Sequence, residues 1–159
     1  MDAIHLKVLQ AEMQAQWKAV EDVYTQVEAR AAGLRPGDPA SLESLAYQLH
    51  NLYNAVEDLF KIVTNAFENQ VVDLSRWHAE LLGRMRLEIE GVRPALVSAK
   101  LYPLLDELRA FRHFFRHAYG RRLQESRVQA ILEQAREAKP LLERDVEQFL
   151  AQLEAGLRS

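Results

Sequence analysis

The sequence predicts an all-α fold, an antiparallel bundle of four to five helices. Apolar residues recur at alternating three- and four-residue intervals along most of the chain, and no segment shows the strict alternation of a strand. Three of the five prolines and most of the six glycines fall between the periodic segments, as punctuation. With 159 residues, 48% of them hydrophobic and 27% charged, the chain is long enough to bury a core without covalent staples. It reads as a single helical domain over residues 1–159.

The first helix carries Leu6, Leu9, Met13, Trp17, Val20, Tyr24, Val27 and Ala31 on one stripe. It stops at Gly33–Pro39, where Asp38 before Pro39 reads as a cap and first helical position. The second stripe is Leu42, Leu45, Leu49, Leu52, Val56, Leu59, Val63 and Phe67. Asp73 or Ser75 would cap a shorter third helix holding Leu74, Trp77, Leu81, Met85 and Ile89, closed by Glu90–Pro94. A fourth helix is expected from about Ser98, with Leu101, Leu104, Leu108, Phe111, Phe115 and Ala118 inward and Gly120 as its C-cap. A fifth runs from about Glu125 to Leu157, with Val128, Ile131, Ala135, Leu142, Val146, Phe149 and Leu153 on one side; Pro140 should kink or split it. Helices of about 30 residues are roughly 45 Å long, and short links between them make neighbours antiparallel. The stripes are wholly internal, or one of them spills into a dimer seam.

The absence of cysteine excludes a disulfide scaffold, a zinc–thiolate site and a thiol nucleophile. The longest stretch without Asp, Glu, Lys or Arg is Ser44–Val56, 13 residues, against the roughly 20 that a membrane span needs. The N-terminus lacks a basic-then-apolar leader pattern, so a cytoplasmic protein without a membrane partner is expected. Net charge is −3, but Leu108–Gln124 holds Arg109, Arg112, Arg116, Arg121 and Arg122 with no acid, which leaves the other residues at −8. A helical wheel places Arg112, Arg116, Arg109, His113 and His117 in an arc of roughly 140° facing away from the core. Arginines near a helix C-terminus complement its dipole, which accounts for one or two of them. It does not account for the paired histidines.

Arginine offers a permanently charged fork for phosphate oxygens, and histidine exchanges protons near neutral pH. Together they supply what metal-free RNA cleavage requires: a base at the ribose 2′-hydroxyl, a cation at the phosphorane and an acid at the leaving oxygen. His113 and His117 have the spacing of a metal pair, but no adjacent Glu and no cysteine completes a site, so neither metal nor cofactor is expected. Glu57, one turn after Tyr53, reads as a solvated face, with an ion pair to the arginine cluster as the alternative. His78 reads as structural, bonded at the start of its own helix, and His5 and His50 as helix-flank residues. Arg121 and Arg122 extend an RNA path or are simply exposed.

The segment Arg112–Tyr119 matches the Arg-x4-His-x-Tyr signature of HepT-like toxins, small all-helical ribonucleases of the HEPN superfamily. Leu49–Lys61, Trp77–Met85, Gly91–Leu96 and Leu105–Gly120 also resemble one subfamily in the same order, covering roughly 44–149. The resemblance implies a homodimer whose two motifs line one cleft, with Arg112 and His117 as the catalytic pair and His113 orienting the site or binding phosphate, beside Arg116 and Arg109. It also implies that a partner nucleotidyltransferase, the antitoxin, silences the toxin by attaching AMP to Tyr119. The alternative is a non-catalytic helical subunit that binds a nucleotidyltransferase and presents its substrate.

Overall fold

A computed structural model describes residues 1–68, 77–118, 120 and 122–159. Five helices account for most of them: α1 (Ala3–Ala32), α2 (Pro39–Phe67), α3 (Trp77–Met85), α4 (Tyr102–Arg116) and α5 (Glu125–Arg158). No strand occurs among the described residues; a single antiparallel bridge joins Ile89 and Arg93. The expected helical bundle is therefore what the chain forms, with α3 as a short fifth member.

α1 starts where the Asp2 carboxylate accepts from the His5 amide at 2.8 Å, and α2 where Asp38 accepts from Ala40 with Pro39 behind it. The two pack as an antiparallel hairpin, in which the Gln16 side-chain amide donates to the Ala55 carbonyl at 2.8 Å. α2 touches each of the other four helices, and its stripe is accordingly wide. Leu45, Leu49, Leu52, Val56, Leu59 and Val63 are buried as expected, together with Tyr53 and Phe60 on the flanks. One continuous apolar cluster links residues of all five helices. α1 also reaches α5, where the Tyr24 hydroxyl donates to the Ala135 carbonyl at 2.7 Å and Arg136 holds Glu28 through two bonds of 2.8 Å.

Several boundaries differ from the sequence expectation. α4 begins at Tyr102, one turn after Ser98, whose carbonyl accepts from the Tyr102 amide at 3.0 Å while its own amide donates to buried Asp145 of α5 at 2.8 Å. It ends at Arg116 rather than at Gly120. His117 is the cap, its amide shared between the carbonyls of His113 and Phe114 at 3.2 Å, and Gly120 lies beyond it in the left-handed region at φ +68°. α3 ends at Met85, whose carbonyl accepts from both Leu96 and Val97, so Ile89 falls in the following loop and turns back at Gly91. α5 runs through Pro140 without splitting. A proline there removes the bond to the Arg136 carbonyl, and both residues lie on the exposed side, where solvent has access to the freed carbonyl. Asp73, Leu74 and Ser75 lie outside the described residues.

Removing the hydroxyl that joins α1 to α5 gives a first check. Tyr24→Phe is expected to lower unfolding stability by about 0.5–1.5 kcal/mol, whereas Leu59→Ala, at the fully buried centre of α2, should lose about 2–5 kcal/mol. Urea unfolding followed by far-UV circular dichroism measures both.

Candidate functional site

Arg112 lies four residues after the fully buried Leu108 and so only about 40° from it on the helix. With α2, α5 and α3 all packed on α4, that direction is covered, and Arg112 is 8% exposed. This corrects the expectation that it faces away from the core. A wheel with one inner side does not allow for α3 closing a second flank.

A buried guanidinium must have its donors satisfied. Arg112 Nε donates to the Asn54 side-chain oxygen on α2, and Nη1 lies 3.3 Å from His78 Nε2 on α3. The other ring nitrogen, His78 Nδ1, is 2.6 Å from Glu57 Oε2. Arginine has no acceptor and stays charged, so Nε2 is the bare nitrogen and Nδ1 carries the proton given to Glu57. The result is a polar chain across three helices: Glu57 to His78 to Arg112 to Asn54. Glu57 is 2% exposed, which corrects its reading as a solvated residue, and His78 bonds across helices rather than at the start of its own. Arg112 Nη2 takes no protein acceptor among the described residues and keeps contact with solvent.

α3 is held in place at its other end by a second ionic group. Glu68 Oε1 accepts from Arg84 and from buried Arg93, both at 3.0 Å, and Arg93 also donates to the carbonyls of Leu87, Pro94 and Arg84.

The remaining expected site residues separate into two kinds. Arg109 pairs with Asp106 at 2.8 Å, so its charge is already answered. His113, Arg116 and His117 are exposed at the C-terminal end of α4, and the His113 and His117 rings lie 4.5 Å apart at 50°. Tyr119 and Arg121 lie outside the described residues. Arg122 borders a cavity of about 830 Å³ on the flank of α4 toward α5, together with Phe114, Gln124 and Arg127. No group of three or more His, Asp or Glu residues is arranged to hold a metal ion among the described residues, and no helix is long and apolar enough to cross a membrane.

Two buried groups border this region without bonding into it. His50 packs against Phe115, ring centroids 5.3 Å apart, and both of its ring nitrogens are buried without a partner. Burial, then the charge of Arg112, holds its pKa below the ordinary imidazole value. The Tyr53 hydroxyl is likewise unpartnered, and burial, followed by the charge of Glu57, raises its pKa well above the phenol range.

Asn54, Glu57 and His78 are the site residues that the sequence reading did not assign. Their signal is present but faint. Asn54 and Glu57 are one turn apart on one flank of α2, and Glu57 is the first charge after the uncharged stretch 44–56. Nothing in the spacing places His78 beside them.

In comparisons with known proteins, a family model described as HepT-like protein matches residues 44–153. No curated protein and no solved structure matches the chain significantly.

The depressed pKa of His50 makes a pH prediction. Unfolding restores its affinity for a proton, so the unfolded chain takes one up first as pH falls through about 6.5. Stability from this group is therefore complete above that value and declines as pH drops toward the lower folded pKa. Urea midpoints should fall between pH 7.5 and 5.5 in the wild type, and the slope over that window should flatten in His50→Gln.

Proposed function

The chain belongs to the HepT-like family, and from that premise we propose that it is a toxin that cleaves RNA without a metal ion, with Arg112 and His117 as the catalytic pair. The observation that carries this reading is the setting of Arg112. Asn54 and His78 hold its guanidinium on two sides, while Nη2 is left for an outside acceptor, one residue from the exposed His113–His117 end of α4.

A fork fixed in this way is preorganised for a phosphate. The donors need no reorientation when the phosphorus gains negative charge, which is the condition under which electrostatic stabilisation accelerates a reaction most. The ribose 2′-hydroxyl attacks the adjacent phosphorus, Arg112 offsets the charge of the phosphorane, and His117 handles a proton. His113 and Arg116 bind neighbouring phosphates, and Arg109, already neutralised by Asp106, adds least. Five residues of separation set Arg112 and His117 about 140° apart around one helix. A homodimer with both motifs in one cleft brings such groups together across its two-fold axis.

The partner in this reading is a nucleotidyltransferase antitoxin that transfers AMP to Tyr119. Phosphates placed two residues after His117 fill the cationic site and repel RNA.

Expression in a bacterial host is expected to arrest growth, and His117→Ala or Arg112→Lys to relieve the arrest. On purified RNA each variant should lose at least about 100-fold in cleavage rate, while EDTA leaves the wild type unchanged and the products end in a 2′,3′-cyclic phosphate. Equal harmlessness and equal inertness of wild type and His117→Ala overturn the proposal. The regulatory part is checked by incubation with ATP and the co-purified nucleotidyltransferase, which should add AMP mass to the wild type and none to Tyr119→Phe.

A further inference from the structure

We propose that His78, held by Glu57, is the general base of the cleavage reaction, and that His117 is the acid; this rests on the ribonuclease reading above. Transesterification of RNA moves two protons on opposite sides of one phosphorus. One leaves the attacking 2′-oxygen and another reaches the departing 5′-oxygen, and one imidazole does not stand on both sides within a single step. In a two-fold cleft the second His117 is the competing base, and a His78→Gln variant of near wild-type rate would assign the step to it.

His78 has the geometry of a base. Its Nδ1–H is fixed by the buried Glu57 carboxylate at 2.6 Å, which sets the tautomer and aims the Nε2 lone pair at the arginine fork, 3.3 Å from Nη1. A carboxylate behind an imidazole is the arrangement by which serine hydrolases activate a hydroxyl. Here the single Nε2 lone pair accepts from Arg112 Nη1 until a phosphate oxygen draws that N–H to itself, which frees the lone pair for the 2′-hydroxyl. The imidazole side chain also remains 39% exposed, while that of Glu57 is 3% exposed. A histidine needed only to satisfy a buried arginine has no cause to keep an open face. A phosphate on the free edge of Arg112 lies one hydrogen bond from the guanidinium, as does Nε2. The 2′-hydroxyl of the same nucleotide, next to that phosphate, therefore comes within reach of Nε2.

The charged groups facing His78 among the described residues are Glu57 from α2 and Arg112 from α4; Lys61 of α2 lies 6.0 Å from the neighbouring Trp77 ring. The Glu57 carboxylate stands at Nδ1 and the Arg112 guanidinium at Nε2, on opposite sides of the ring. In the step itself, His78 Nε2 takes the 2′-hydroxyl proton and the O2′–P bond forms. The P–O5′ bond then breaks with its electron pair on O5′, which takes a proton from the His117 imidazolium. The products are a 2′,3′-cyclic phosphate and a 5′-hydroxyl, with no other reactant, and exchange with water resets both histidines.

The test uses the full chain, a short RNA, and the same RNA with sulfur in place of the scissile 5′-oxygen, a leaving group that needs no acid. His78→Gln keeps an acceptor toward Arg112 but is no base. It is expected to lose about 100- to 10,000-fold in rate on both substrates, while its melting temperature and its binding of the 2′-deoxy RNA stay at wild-type values. His117→Ala should regain most of its lost rate on the sulfur substrate. Glu57→Gln should move the rising limb of the pH–rate profile to lower pH, since the imidazolium loses its anion. Without any substitution, the His78 titration followed by NMR should coincide with the rising limb of wild-type cleavage of the sulfur substrate. The assignment is overturned if His78→Gln stays within about threefold of wild type, if the sulfur substrate rescues it, if its deficit is one of RNA binding alone, or if titration and rising limb disagree. A wild type inert on every RNA overturns the ribonuclease reading instead.

Discussion

Burying the Arg112 guanidinium is the constraint around which this structure is arranged. The group does not shed its charge, so the helices around it must supply acceptors at fixed positions. α2 supplies Asn54, α3 supplies His78, and α2 again supplies the Glu57 carboxylate behind His78. A slide of any of these helices by one residue strands a buried charge, which is strongly destabilising. Packing and site geometry are therefore one requirement: the contacts that fix α3 against α2 and α4 are those that aim the arginine outward.

The short α3 illustrates the point. Nine residues are too few for a helix to persist alone in water. Leu81, Leu82 and Met85 anchor its middle in the core. His78 with Glu57 fastens its first turn, and Arg84 and Arg93 on Glu68 fasten its last. One fastening ends on α2 and the other on Glu68, the residue that caps its C-terminus, and the wide apolar face of α2 already orders the bundle. α2 and its C-cap thus carry two hidden carboxylates, Glu57 and Glu68, one at each end of the segment facing α3.

Most of the fold was legible because helical stripes are local. Leu6 to Val27 and Leu45 to Val63 announce their inner faces through spacing alone, and the structure buries them. Positions governed by a third body were not legible. Arg112 looks solvated on an isolated wheel and is covered because α3 closes over the flank that α2 already borders. Glu57 looks like an ordinary exposed acid until His78, 21 residues away in sequence, meets it. The end of α3 failed for a related reason: the carbonyl of Met85 is claimed by the amides of Leu96 and Val97. Of the candidate site, the motif residues could be found from local spacing, whereas Asn54, Glu57 and His78 needed the tertiary fold.

The family signature begins at residue 44, inside α2, and omits α1. Yet α1 lies along α2 and shuts its apolar side from water through Leu9, Met13, Val20 and Val27. Its role asks mainly for an oily ridge of the right pitch, with Gln16 and Tyr24 adding single polar fastenings to α2 and α5. The roof of such a bundle is accordingly free to drift in sequence while the floor keeps its chemistry, and the outward side of α1 is where one member can acquire contacts that another lacks.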